Sequence, residues 1–132
     1  MRAILAMGAF GVMAMAAQAQ EVPVETGALG GSAITLHVQP FLTPEELTTL
    51  RLVMTNEQAL AIFVPDAAKG FASMAAAPDE GFIREGKPVA SAVAIAGLAS
   101  AAEAQDAALK GCEAARKGGA ACVTVLEIAP AP

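Results

Sequence analysis

The sequence has no tryptophan and no tyrosine, and only 16% of its 132 residues are charged. Tryptophan and tyrosine are the side chains most used for stacking on bases, sugars and peptides, so their absence argues against a site built on stacking. Eight Lys and Arg residues stand against thirteen Asp and Glu residues, which gives a net charge of −5. Because binding to a phosphate backbone needs clustered positive charge, we expect no interaction with nucleic acid.

Histidine and cysteine are also scarce. His37 is the only histidine, and Cys112 and Cys122 are the only cysteines. A structural zinc site takes four such ligands, so these residues are too few for one. The cysteines do not form a C-x-x-C motif, and an even cysteine count in an exported chain favours a structural bridge. We therefore predict a Cys112–Cys122 disulfide and no metal or cofactor, with a reactive thiol pair as the alternative.

The residues that are present describe one small, alanine-rich domain. Apolar side chains make up 55% of the chain, which is too many for a disordered sequence. The length corresponds to a single domain. We predict a flexible leader at residues 20–32, one α+β domain at residues 33–129 and a tail at residues 130–132. Alanine buries little area, so the larger apolar residues must anchor the core, with the most prominent being Phe41, Phe63, Phe71 and Phe82.

The start of the chain has the pattern of a cleavable export signal. Arg2 supplies a positive charge, a short uncharged apolar run follows, and Ala17 and Ala19 occupy the two small positions of a cleavage site. The apolar run is shorter than the roughly 20 residues that a transmembrane helix needs. We predict a signal peptide at residues 1–19, cleavage between Ala19 and Gln20, and no membrane span after its removal. An uncleaved N-terminal membrane anchor is the alternative.

Two capping motifs locate the helices. Thr43 and Glu46 form a capping box around Pro44, and Ser100 with Glu103 repeats the pattern. A helix is predicted after each motif. Strands are predicted at residues 33–41, 59–64, 70–76, 89–95 and 120–128, with a short extended piece at residues 82–84. This order predicts an α+β fold in which both helices pack on one face of a small, mostly antiparallel sheet.

No catalytic constellation is visible in the sequence. His37 falls on the polar side of the first predicted strand, and no serine lies in a G-x-S-x-G turn. Asp79, Glu80 and Glu85 cluster around two predicted turns, where acids are common because they bond the turn backbone. We interpret all four as solvated residues and predict no catalytic residue. Acid–base work by His37 or by the turn acids is the alternative.

The part of the chain from about residue 59 to residue 130 resembles a group of known proteins. The resemblance is carried by GFASMA at residues 70–75, PDEG at 78–81, AQDAALKGC at 104–112 and CVTVLE at 122–127. These segments resemble small exported alphaproteobacterial proteins, mostly from the Rhodobacter-like group, whose function is uncharacterised. The resemblance implies a secreted domain that ends in a helix and a strand.

Members of that group often carry the label 5-aminolevulinate synthase. The synthase is a pyridoxal-phosphate enzyme of several hundred residues with a lysine Schiff base and a phosphate cradle. The present chain is far shorter, and none of its lysines lies in a recognisable cofactor context. An exported protein would also be separated from the cytosolic substrates of that enzyme. The resemblance therefore brings no catalytic residue and no cofactor to this chain.

Small size, the export signal and the expected disulfide predict a periplasmic or secreted module that binds an unknown periplasmic protein or a small ligand without catalysis. Two alternatives remain, namely a small enzyme that uses His37 or the turn acids, and a redox-active thiol protein. An exposed apolar groove would favour the binding module. His37 within hydrogen-bond reach of a serine or an acid would favour the enzyme, and free thiols would favour the redox protein.

The exported protein is expected to begin at Gln20, because signal cleavage follows the small residues Ala17 and Ala19. Intact mass of the exported form checks this start, and Ala19→Arg should block cleavage and leave the full-length mass. A full-length species of the unmodified chain held in the inner membrane would contradict the prediction.

Overall fold

The computed structural model of the chain describes residues 22–63 and 70–131. The predicted signal peptide and its cleavage site at Ala19 and Gln20 lie outside the described residues. In the described ranges the chain forms three helices and seven strands. They are β1 (Val24–Leu29), β2 (Ser32–His37), α1 (Pro44–Thr55), α2 (Glu57–Phe63), β3 (Phe71–Ala76), β4 (Ile83–Arg84), β5 (Lys87–Pro88), β6 (Val93–Leu98), α3 (Ala101–Ala115) and β7 (Val123–Pro130).

Five of the strands form one sheet in the order β1-β2-β7-β3-β6. Every neighbouring pair in this sheet is antiparallel, and β4 and β5 form a separate two-stranded hairpin. The α+β class and the mostly antiparallel sheet predicted from the sequence are therefore confirmed. The last strand, β7, lies at the centre of the sheet, so the C-terminal segment joins the β1–β2 hairpin to β3 and β6.

Residues 20–32 do not form the flexible leader that the sequence suggested, as far as they are described. Val24–Leu29 pairs with β2 along its whole length, and Ser32 is fully buried. Gly30 and Gly31 form the intervening turn with φ angles of 55° and 81°, a left-handed conformation that glycine adopts without steric cost. The glycines that suggested a leader are thus a hairpin turn.

The C-terminal boundary of the domain also lies farther from the centre of the chain than the sequence predicted. Pro130 is the last residue of β7 and pairs with Ser32, although the sequence placed it in a tail. The N–H of Ala131 donates to the carbonyl of Gly31 at 2.8 Å. The hairpin turn and the end of β7 therefore lie at the same end of the sheet.

The helices α1 and α3 cover opposite faces of the sheet, which corrects the expectation that both pack on one face. The residues Ala72 and Ala76 of β3 lie in an apolar cluster with side chains of α1, whereas Ala75 lies in a second cluster with Ala108 and Cys112 of α3. Successive residues of a strand point to opposite faces, so the two clusters lie on opposite sides. Every residue of β3 from Ala72 to Ala76 is buried, and a run of small and apolar residues is typical of a strand covered on both faces.

The two cores differ in composition. The larger core lies between the sheet and α1, and includes Ile34, Leu36, Leu50, Val53, Leu60, Phe82, Leu126 and Ile128. Of the phenylalanines expected to anchor the core, Phe82 is buried, while Phe41 and Phe71 are half-buried. The side chain of Phe63 lies outside the described residues. The smaller core under α3 is lined by alanine and cysteine, which lets the helix approach the sheet closely.

The segment predicted as a strand at residues 59–64 belongs instead to α2, as far as it is described. The side chain of Asn56 accepts a hydrogen bond from the N–H of Ala59 at 2.9 Å, and its carbonyl accepts from Leu60 at 3.0 Å. Asn56 therefore caps α2, with Glu57 in the first turn where an acid is favourable. The same residue is the C-cap of α1.

Both predicted caps are confirmed. Thr43 accepts from the N–H of Glu46 at 3.1 Å while its own N–H donates to the Glu46 carboxylate at 2.9 Å. The hydroxyl of Ser100 accepts from the N–H of Glu103 at 3.1 Å. The strand predicted at residues 89–95 is displaced, because the chain turns before Ala92 and pairs only from Val93 onward.

Cys112 and Cys122 form the predicted disulfide, with their Cα atoms 6.2 Å apart. Cys112 faces the sheet at the end of α3 and Cys122 directly precedes β7, so the bridge joins the smaller core to the central strand. The closed loop is short, with a sequence separation of 10. A loop of this size removes chain entropy worth roughly 2–3 kcal/mol from the unfolded state.

Reduction of the disulfide is expected to lower the free energy of unfolding by roughly 2–3 kcal/mol without abolishing the fold. Denaturant unfolding with and without a reductant measures the change. The double variant Cys112→Ala/Cys122→Ala is the control, since its unfolding should not respond to the reductant. Identical unfolding curves for the oxidised and reduced protein would contradict the prediction.

Candidate functional site

His37 contacts a carboxylate on a neighbouring strand, and the sequence did not suggest this contact. Its Nε2 atom lies 2.6 Å from Oε2 of Glu127 on the neighbouring strand β7. Thr35 is the cross-strand partner of Glu127, and His37 lies two residues farther along β2, so all three side chains share one face of the sheet. Both members of the pair are partly exposed. The pair is therefore reachable from solvent on the face that also carries α3.

Thr35, His37 and Glu127 form a row of polar side chains on this face, and Ser73 extends the row on the other side of Glu127. The two residues are direct partners in the β3–β7 ladder, so their side chains are neighbours. Ser73 is 3% exposed, and its hydroxyl has no hydrogen-bond partner among the described residues. In a nucleophilic triad the histidine stands between the serine and the acid. Here β7 places the acid, Glu127, between Ser73 and His37, so the row does not have that order.

The part of this face next to β1 is open. The helix α3 packs against β3, β6 and β7. Beyond it, Val24, Thr26 and Ala28 of β1 are exposed, and Thr35 and His37 of β2 are half-buried. We call these five residues the open face. It is mostly small and polar, with Val24 as its one large exposed apolar side chain.

The turn acids hold backbone groups. Asp79 accepts from the N–H of Ala120 at 3.1 Å. Glu80 accepts from the N–H of Lys117 at 2.7 Å and from the hydroxyl of Ser91 at 2.5 Å. The hydrogen bond from Ser91, followed by that from Lys117, holds the pKa of Glu80 below its usual value. Asp79 and Glu80 therefore anchor the segment that follows α3, while Asp79 stays exposed and Glu80 partly exposed.

A third carboxylate acts on the same segment. Glu113 bonds the guanidinium of Arg116 at 2.6 Å and accepts from the N–H of Cys122 at 2.7 Å. The hydrogen bond from Arg116, and then that from Cys122, lower the pKa of Glu113. The N–H groups of Lys117, Ala120 and Cys122, all in the second half of the disulfide loop, are thus bonded to acids. Glu85 is different, since it is exposed in the β4–β5 turn with a φ of 55°.

Glu46 is the only fully buried charged residue among those described. Besides its capping contact with Thr43, its Oε2 atom accepts from the N–H groups of Phe82 at 2.7 Å and Ile83 at 2.9 Å. The guanidinium of Arg84 contacts both carboxylate oxygens, at 3.2 and 3.3 Å. The sequence predicted the helix cap, but it contained no signal for the partners near residue 82.

Two opposing effects act on the pKa of Glu46. Burial raises it, but the hydrogen bonds from Ile83, Thr43, Arg84 and Phe82 outweigh burial and hold the pKa below its usual value. Gly81 makes room for this arrangement, because a side chain at that position would collide with the Glu46 carboxylate and with Arg84. Glu46 is therefore a charged structural residue, and its carboxylate is bonded to other groups of the same domain.

An apolar groove lies between α1 and α2. It has a volume of about 360 Å³ and is lined by Thr49, Leu52, Val53, Ala59 and Ile62. We call it the helix groove. Leu52 is 49% exposed and Ile62 is 84% exposed, which makes them two of the three large apolar side chains that stand out from the described surface. No sequence pattern predicted the helix groove, because residues 59–64 were predicted to be a strand.

A second cavity of about 360 Å³ lies beside the turn acids, and its Glu80, Arg84 and Ser91 side chains already have partners. The carboxylate of Glu80 is bonded to Ser91, and Arg84 is bonded to Glu46 and to the carbonyl of Phe41. Its remaining walls are mostly apolar. The lining residues are Glu80, Arg84, Pro88, Val89, Ala90, Ser91, Ala115 and Lys117.

Within residues 22–63 and 70–131, no three His, Cys, Asp or Glu side chains come together in a way that would hold a metal ion. No helix in these ranges is both long enough and apolar enough to cross a membrane. No protein-family model matches the chain, and neither does any curated protein or solved structure. In the ranges that the structure describes, the fold and the site define a disulfide-bridged α+β domain that carries an exposed apolar groove and a partly exposed His–Glu pair.

Replacing Glu46 with Gln is expected to lower the free energy of unfolding by about 2–4 kcal/mol, because the amide would oppose the buried donors that the carboxylate satisfies. Denaturant unfolding at pH 7 measures the change. Glu45→Gln is the matched control, since Glu45 is its exposed neighbour in the same helical turn, and it should cost less than about 1 kcal/mol.

The effect of Glu46→Gln should also depend on pH. A carboxyl with a lowered pKa stabilises the fold above its unfolded pKa, near 4.3, and this stability is lost as pH falls through the folded pKa. The difference between the unmodified protein and the variant should therefore be full at pH 6–7 and shrink below about pH 4. A difference that does not change with pH would contradict the proposed role of the charge.

Proposed function

We propose that the chain is an exported periplasmic or secreted domain that acts as a non-catalytic binding or accessory module. The observation that supports this most directly is the helix groove. Leu52 and Ile62 expose large apolar side chains to water beside a cavity. Exposed apolar surface next to a concavity is characteristic of an interaction site. The partner is an apolar segment of a periplasmic protein or a small apolar ligand.

The energetics of the groove favour an apolar partner. Burying a Leu or Ile side chain stabilises a complex by roughly 1.5–3 kcal/mol. Leu52 and Ile62 together therefore offer enough apolar surface to form the centre of a contact. Two charged residues of the same helices, Arg51 and Glu57, are exposed and suit the polar rim that surrounds such a centre.

The groups that a catalytic hypothesis needs are mostly occupied. Asp79 and Glu80 bond backbone N–H groups, as described above. Cys112 and Cys122 are joined to each other, which removes free thiols and disfavours the redox-active alternative. A disulfide of this kind persists in an oxidising compartment, so it supports export together with the signal-like start of the chain. The resemblance to small exported alphaproteobacterial proteins supports the same compartment.

A small enzyme remains the second candidate, because one observation favours it. His37 lies 2.6 Å from Glu127 and is reachable from the open face. A carboxylate can orient an imidazole for general acid–base work. Such an enzyme would need a substrate that brings its own reacting group to His37, since the nearest serine in the row is buried behind Glu127.

The binding proposal is tested with two variants that separate the groove from the His–Glu pair. The double variant Leu52→Ser/Ile62→Ser should lose a partner captured from periplasmic extract by the unmodified protein, because it removes the apolar side chains of the groove. His37→Gln should capture that partner as well as the unmodified protein does. Crosslinking, followed by mass spectrometry of the captured species, measures both.

Ala114→Ser provides the matched control for a polar substitution on an exposed helix position outside the groove. Circular dichroism should show that all variants are folded. Equal capture by the groove variant would contradict the proposal. Loss of capture only with His37→Gln would favour the enzyme.

A further inference from the structure

The outer edge of β1 is free among the described residues. Val24–Leu29 pairs with β2 on one side and is the terminal strand of the sheet. The pairing with β2 is regular over all six residues. Its outer N–H and C=O groups are thus a template that another strand can pair with. Proteins usually protect such an edge with charges, proline or a bulge.

The strand β1 contains no proline and no bulge, and its single charge is compensated within the chain. It contains one charged residue, Glu25, and the guanidinium of Arg51 in α1 bonds both oxygens of that carboxylate, at 3.0 and 2.7 Å. This pair lowers the pKa of Glu25 and compensates its charge within the chain. The opposite edge, β6, is irregular, with a register shift between Phe71 and Ser73 of its neighbour. The strand β6 has no charged residue either, so the two edges differ in regularity, and β1 is the regular one.

We propose that two copies of the chain pair through β1, antiparallel and centred on Thr26. The symmetry of the strand supports a second copy as the partner. In this register, Thr26 faces the Thr26 of the other copy, Val24 faces Ala28, and Glu25 faces Gly27. Thr–Thr pairs and contacts between small apolar side chains are favourable across strands. Glu25 meets a glycine, so no like charge stands directly opposite it.

Other registers fit less well. A shift by one residue would place the open face of one copy beside the α1 face of the other, because side chains alternate between faces with a period of two. A register centred on Gly27 would leave Val24 without a partner, although Val24 is 52% exposed. Centring on Thr26 pairs Val24 and keeps α1 of both copies on the same side. The two sheets then form one continuous sheet, and the two open faces become one surface.

The proposed β1 pairing goes beyond the binding function, and it rests on the proposed function only for the cleavage that accompanies export. Cleavage after Ala19, which belongs to the proposed export, leaves only Gln20 and Glu21 ahead of Val22. Two residues are too few to add a strand to the β1 edge. The intact mass of the exported protein tests cleavage separately, so a failure of export and a failure of β1 pairing are distinguishable.

Cysteine crosslinking tests the register in the protein recovered from expression of the full chain. Thr26→Cys should form a disulfide-linked dimer under mild oxidation, because the two copies of this residue face each other. Ala28→Cys is the matched control on the same exposed face. Its two copies would be about 13 Å or more apart along the strands, too far for a disulfide. Non-reducing electrophoresis and the mass of linked peptides measure the result.

Sedimentation equilibrium provides a readout without an added cysteine. The unmodified protein should dimerise, and Thr26→Lys should raise the dimer dissociation constant at least tenfold, because two positive charges would meet at the symmetry axis. Thr26→Val should retain the dimer, and neither variant should change the thermal unfolding of the monomer substantially, since Thr26 is exposed. A monomeric unmodified protein at high micromolar concentration, or equal crosslinking by Thr26→Cys and Ala28→Cys, would overturn the proposal.

Discussion

The buried carboxylate of Glu46 connects the parts of the domain that are far apart in sequence. It caps α1 through Thr43 and at the same time holds the backbone of Phe82 and Ile83. Burying an isolated charge costs several kcal/mol, so the position of this carboxylate depends on all of its donors being present. Because Phe82 belongs to the larger core, the carboxylate fixes the segment after β3 against α1 and against the sheet together.

The other acids extend this connection to the end of the chain. Asp79 and Glu80 lie just before Phe82 and bond the N–H groups of Ala120 and Lys117. The segment between α3 and β7 is therefore held next to the turn that Glu46 positions. This segment forms most of the disulfide loop and leads into the central strand. Asp79 and Glu80, two of the acids that the sequence offers for acid–base work, thus make structural contacts, whereas the helix groove and the open face are exposed surfaces that these contacts do not use.

The sequence predicted the local elements well where a short-range hydrogen bond sets them. Thr43 and Ser100 cap helices as expected, because a cap needs only residues within one helical turn. The same rule would have found α2, since Asn56 and Glu57 have the composition of a helix start, but a short apolar run cannot be assigned to helix or strand by periodicity alone. The Gly30–Gly31 turn was misread for a related reason. Its glycines define a hairpin only when both flanking segments are recognised as strands.

The candidate sites were less predictable than the fold. The His37–Glu127 contact and the Glu46–Arg84 contact join residues from distant parts of the chain, and no local pattern encodes which strands become neighbours. The helix groove depends on how two consecutive helices pack, and the β1 edge depends on which strand ends the sheet.

The sequence by itself determined the class of fold, the helix caps and the cysteine pair, because these follow from composition and from contacts within a few residues. Only the tertiary structure decided that β7 lies in the centre of the sheet, that α1 and α3 cover opposite faces, and which carboxylates are buried. These features depend on strand order and on the faces that become covered. Both are set by the simultaneous burial of apolar surface and satisfaction of backbone hydrogen bonds across the whole domain.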